Sequence, residues 1–140
     1  MEPRFNLITL GVSDLERSAS FYERIFSKKR SKNSNDGIVF IKLTGIVLAL
    51  YGRRALAKDA GVEHCGSGFR CFALSYHARS ESEVDDVIRS AEEAGATTTK
   101  KPQRGFWGLY NSYFSDPDGH VIEVTYNPIF PILETGELDI

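Results

Sequence analysis

The order of apolar and polar positions divides the chain into short strands and two amphipathic helices. Residues 5–12 (FNLITLGV) read as a strand. Ser13 then caps a helix reaching about Phe26, with Glu16 closing a capping box and Leu15, Ser18, Ala19, Tyr22, Ile25 and Phe26 on its apolar face. Residues 28–33 read as a polar edge strand, protected by Lys28, Lys29, Arg30 and Lys32. Two apolar strands follow at 38–43 and 46–51, joined tightly at Thr44-Gly45.

A short helix at 53–60 and a glycine-bounded linker lead to a restart of the same order. Residues 69–78 read as a strand, and Ser80 opens a second capping box with Glu83. Val84, Val87, Ile88, Ala91 and Ala94 line the helix that follows, which stops at Gly95. A polar strand at 96–101 and a hairpin at 107–126 complete the second half. The two expected caps, Ser13 and Ser80, lie 67 residues apart, which fits a duplicated βαβββ module repeated in pattern more than in residues. One domain results, with modules at 5–52 and 68–127, a linker at 53–67 and a tail at 128–140. The tail carries Ile129, Phe130, Ile132 and Leu133, and is expected to pack on the domain or on a second subunit.

The hairpin turns on Asp116-Pro117-Asp118-Gly119: Pro117 presets φ, the aspartates bond nearby backbone, and Gly119 supplies positive φ. Alternation along the second strand sets Val121, Glu123 and Thr125 against Ile122, Val124 and Tyr126. Glu123 is thus a carboxylate in mid-strand, costly to bury without a partner. In an apolar setting desolvation would raise its pKa.

The formal charge of −2 and pI near 5.9 argue against nucleic acid or an anionic membrane as partner. No early stretch resembles a signal peptide and no run would span a bilayer, so cytoplasm is the expected location. Cys65 and Cys71 lack zinc-site spacing and are expected as reduced thiols, one of them buried in a strand.

Two such modules, with LITLGVSDLERSASFY near the start and YFSDPDGHVIEV near the end, resemble the vicinal oxygen chelate family of glyoxalases, bleomycin-resistance proteins and extradiol dioxygenases. The longer run FWGLYNSYFSDPDGHVIEVTYNP resembles its glyoxalase-like bacterial subgroup. The resemblance implies an α+β fold in which the modules curl a mixed sheet into a cup, helices outside, and a homodimer is expected. It also implies four strand positions that direct ligands to one divalent metal. Here those positions hold Leu7, Ala49, Ala73 and Glu123, so one of the four carries a ligand atom. The expectation is therefore no metal cofactor, with a relocated divalent site using Glu123 and His77 as the alternative.

Facing the cup with Glu123, alternation places Leu7, Thr9, Ala49, Tyr51, Ala73, Ser75 and His77, joined by Asn111 and Tyr113 from the hairpin. Arg104 and Trp107 lie in a glycine-flanked loop that could move over a ligand. Such a wall suits a small aromatic or amphipathic molecule. Two functions of different class follow: a metal-free binding protein, or an enzyme. The enzyme would be a metal-dependent lyase, isomerase or dioxygenase at a relocated site, or would use Glu123 as a general base.

Overall fold

The computed structural model describes residues 6–64, 66, 71–105 and 108–138. The chain forms two compact units, Met1–Arg70 and Cys71–Ile140. The fold is α+β, with an open mixed sheet in each unit.

In the first unit β1 (Leu7–Val12), α1 (Leu15–Ile25), β2 (Ile38–Lys42), β3 (Val47–Gly52) and α2 (Arg53–Asp59) follow in order. The sheet runs β1-β3-β2, parallel between β1 and β3 and antiparallel between β2 and β3. Register puts Leu10, Val12, Val39, Ile41, Leu48 and Leu50 on one face, all buried, while α1 contributes Ala19, Phe21 and Tyr22 to the core. The cap of α1 is Asp14, one residue later than expected: its carboxylate accepts from Arg17 N at 2.9 Å, and Ser13 Oγ takes the Arg17 guanidinium instead. Gly11 makes room for α2, because a Cβ there would lie 3.3 Å from Leu56 Cδ2.

Residues 28–33 form no strand. One backbone bond, Ser31 N to Phe40 O at 2.7 Å, ties them to β2. Side chains take the other ladder donors: Glu23 accepts from Arg30 N, Ser31 Oγ from Asn33 N, and Ser34 Oγ from Phe40 N. Such local bonds compete with pairing in polar, Ser-rich segments. The Arg30 guanidinium also binds Glu16 and Glu23, so the basic cluster is partly a structural ion pair.

The second unit comprises β4 (Leu74–His77), α3 (Glu81–Ala94), β5 (Thr97–Arg104), β6 (Tyr110–Ser115) and β7 (Val121–Tyr126), with sheet order β4-β7-β6-β5. Ser80 caps α3, accepting from Glu83 N, and Gly95 ends it in the left-handed region at φ 105°. Glu83 reaches back to Arg79 N, one residue before the cap. The expected strand from residue 69 begins only at Leu74; Cys71 has φ 60° and is exposed, not buried in a strand, while Cys65 lies outside the described residues.

Hydroxyls of Tyr76 and Tyr110 bond Glu83 and Asp85 of α3, at 2.5 and 2.9 Å. These bonds fix the helix over the face that carries Phe114, Ile122 and Val124, the buried apolar residues of this sheet. Glu123 belongs to the opposite face. Among the described residues no helix is long and apolar enough to cross a membrane.

Candidate functional site

The site face is built by register. Ser75 pairs with Glu123, Glu123 with Tyr113, and Tyr113 with Lys100, across four strands. One row along, His77 pairs with Thr125, Thr125 with Asn111, and Asn111 with Gln103. The DPDG turn that sets β6 against β7 holds as expected. Asp116 is its organiser: its Oδ1 accepts from Asp118 N and His120 N, its Oδ2 meets His120 Nδ1 at 2.7 Å, and Gly119 has φ 85°.

Glu123 is not an unpaired carboxylate. Its Oε1 accepts from Tyr113 Oη at 2.7 Å and from Asn111 Nδ2 at 2.9 Å, and its Oε2 accepts from Ser75 Oγ at 2.9 Å. Lys100 Nζ supports the array from behind, donating to Asn111 Oδ1 at 2.9 Å and lying 5.3 Å from the centre of the Tyr113 ring. This overturns the expected direction of the Glu123 pKa. Desolvation does push it up, but the bonds from Tyr113, Asn111 and Ser75, with the nearby His77, outweigh burial and hold it below the ordinary value. The same contact, with burial, pushes the Tyr113 hydroxyl up to about 12.

Beside Glu123 lies a cavity of about 230 Å³, lined also by His77, Leu109, Thr125, Asn127, Phe130 and Leu138. Two of its lining residues carry buried polar atoms without a partner among the described residues, His77 Nδ1 and Thr125 Oγ1. The tail supplies Phe130 and Leu138. It is held on its own unit by the Arg79 guanidinium, which donates to the carbonyls of Ile132 and Leu133 at 3.1 and 3.0 Å, while a bridge between Ile132 and Leu138 closes the tail on itself.

A family profile described as Glyoxalase/Bleomycin resistance protein/Dioxygenase superfamily matches residues 4–124. The chain belongs to this superfamily. Two relatives of the superfamily member are named metallothiol transferase FosB. That of Lysinibacillus sphaericus is 30% identical over 118 residues, covering 84% of this chain and 78% of its own; that of Bacillus licheniformis is 27% identical over 129, covering 92% and 79%. Among solved structures, a glyoxalase-related enzyme from Fulvimarina pelagi superposes with a TM-score of 0.89 at 33% identity, covering 99% of this chain and 98% of that one.

The other expected residues of this superfamily member divide by place. Ser75, Asn111 and Tyr113 gather on Glu123, and His77 lines the same cavity. In the first unit Leu7, Thr9, Ala49 and Tyr51 share one sheet face, Thr9 paired with Ala49; Leu7 is exposed and Ala49 fully buried. Ala73 is exposed ahead of β4. Arg104 is placed elsewhere: it pairs with Tyr110 in β5, on the α3 face, and its guanidinium donates to Glu81 at 2.8 Å. Trp107 lies outside the described residues. Lys100, Asn127, Phe130 and Leu138 were not anticipated. Only the apolar content of the tail signalled the last two.

The divalent cation implied by the family needs about three protein ligands for catalysis. Among the described residues no group of three or more His, Cys, Asp or Glu is placed to hold a metal ion. Three hydrogen bonds already occupy about three of the four acceptor positions on Glu123. Among the described residues, His77 is the one His, Cys, Asp or Glu beside it in the cavity lining. This donor set does not fit a catalytic divalent cation.

Proposed function

We propose that this superfamily member binds a compact small molecule in the cavity beside Glu123, and that it does so without a divalent metal. The observation that carries this reading is the pair of buried atoms without a partner among the described residues, His77 Nδ1 and Thr125 Oγ1, on neighbouring strands and in two residues that line the cavity. A buried polar atom without a hydrogen bond costs roughly 1–3 kcal/mol, and a ligand that satisfies it recovers that cost. Leu109, Phe130 and Leu138 offer apolar surface for the rest of the molecule. At about 230 Å³ the cavity falls below the range of roughly 300–1,000 Å³ for drug-sized ligands. One ring or a short branched chain is the size that fits.

The general-base alternative requires a carboxylate whose pKa is raised towards neutrality. Glu123 is shifted the other way, which favours recognition over proton abstraction. Metallothiol transfer, for which two relatives are named, would need ligands that the Glu123 neighbourhood does not supply. Exposed Ile129 and Leu133 leave a homodimer contact as part of the same reading, and a cytoplasmic location agrees with it.

The test is a thermal-shift screen of single-ring alcohols, phenols, amines and acids in chelator-treated buffer, on the wild type and on Leu109→Trp. A saturable rise in melting temperature that is lost when Trp fills the cavity supports the reading. Rises that need added divalent metal, or that persist in Leu109→Trp, contradict it.

A further inference from the structure

The cavity lining has a sign. It includes the ionised Glu123 and no lysine or arginine among the described residues. Lys100, the basic side chain of this array, is turned to Asn111 Oδ1 and the Tyr113 ring. An anionic ligand would therefore meet a carboxylate, with no lysine or arginine in the described lining to pair with.

The open hydrogen-bonding positions can all accept. Glu123 Oε2 takes one donor, Ser75 Oγ, and so retains a lone-pair position. Thr125 is 2% exposed, and its Oγ1 can accept. His77 Nδ1 accepts when the ring carries its proton on Nε2. A protonated primary amine presents three donors and one positive charge, which answers these three positions together.

Resting on the cavity reading above, we propose that the ligand class is a compact primary ammonium with an apolar, preferably aromatic, body. The ammonium donates to Glu123 Oε2, Thr125 Oγ1 and His77 Nδ1. The body lies against Leu109, Phe130 and Leu138. Phe130 adds an aromatic ring at the cavity wall, a surface to which cations are drawn.

Calorimetry at pH 8 with benzylamine, benzyl alcohol and benzoate separates charge from shape, since the three share a ring and differ in the head. Benzylamine is expected to bind at least about tenfold tighter than benzyl alcohol, the scale of a hydrogen bond made to a charged group. Benzoate is expected to give no measurable heat. In Glu123→Gln the amine's advantage should fall to within about twofold. Thr125→Val serves as the second variant, because it keeps volume and charge and removes one acceptor; benzylamine should bind it about fivefold more weakly, the loss of one modest hydrogen bond. Equal binding of amine and alcohol, binding of benzoate, or an amine advantage unchanged in both variants overturns the ammonium assignment. If the alcohol binds without any preference for the amine, the cavity reading survives and the ligand class falls. If none of the three binds, both fall.

Discussion

Tyr113 donates its hydroxyl to Glu123 Oε1 over 2.7 Å, from the position directly opposite on the neighbouring antiparallel strand. Cross-strand neighbours are close enough to interact directly, so this bond is a product of register. Asn111 and Ser75 complete the array from either side of β7. Replacing Glu123 by Gln removes the charge from three hydrogen bonds while keeping the shape. A loss of about 1–2 kcal/mol is expected, the difference between charged and neutral bonds. Urea unfolding at neutral pH measures it through the midpoint at unchanged slope. A neutral or stabilising effect would mean that burial of the charge costs more than its partners return.

The same array fixes a pH dependence. Glu123 has a folded pKa below its unfolded value. Its contribution is therefore present above the ordinary carboxylate pKa and is lost as pH falls through the lowered folded one. The stability gap between the wild type and Glu123→Gln should be full at pH 7 and shrink in acid. A gap that widens in acid contradicts the shift.

Tyr113 offers a spectroscopic check. Its hydroxyl is pushed up to about 12, first by the bond to Glu123 and then by burial. In an NMR titration its ring signals should stay constant past the ordinary tyrosine pKa near 10. In Glu123→Gln they should move at lower pH. Titration of Tyr113 near 10 in the wild type would show that the bond does not hold in solution.

Two buried hydroxyls on adjacent strands should respond oppositely to deletion. Ser112 Oγ donates to Lys100 O at 2.7 Å, whereas Thr125 Oγ1 has no partner among the described residues. Ser112→Ala is expected to cost about 1 kcal/mol, the ordinary worth of a buried hydrogen bond. Thr125→Val, without ligand, should be neutral or stabilising, because it removes an unsatisfied polar atom at nearly constant volume. Equal losses in denaturant unfolding would remove the reason for assigning Thr125 to ligand recognition.

Arg79 holds the tail through two carbonyls. Arg79→Ala should speed limited proteolysis between residues 129 and 138 and leave the melting temperature nearly unchanged, since local opening need not follow global unfolding. Unchanged cleavage would show that the tail is held by its apolar contacts alone.

Much of this arrangement was legible in alternation. The strand period put Glu123, Ser75, His77, Asn111 and Tyr113 on one face, and the DPDG turn fixed the pairing of β6 with β7. Lys100 was hidden by a register shift between Thr98 and Lys100, which moves it from the helix face to the Glu123 face; one extra residue reverses facing in a strand. Arg104 was expected in a loop because its strand ends three residues beyond the polar run that suggested it. The pKa direction of Glu123 was missed for a related reason. Alternation names the residues on a face, but the donor atoms reach the carboxylate only through pairings between distant strands. The expected edge strand at 28–33 failed because Glu23, Ser31 and Ser34 capture the donors a ladder would use.

The most direct test of the central claim is chemical-shift mapping in chelator-treated buffer while benzylamine is added. The account predicts saturable shifts concentrated at His77, Leu109, Thr125, Asn127, Phe130 and Leu138, the residues that line the cavity with Glu123. If benzyl alcohol produces the same set, the cavity is confirmed with a different ligand head. Shifts from both compounds that are absent, or scattered away from these residues, would contradict it.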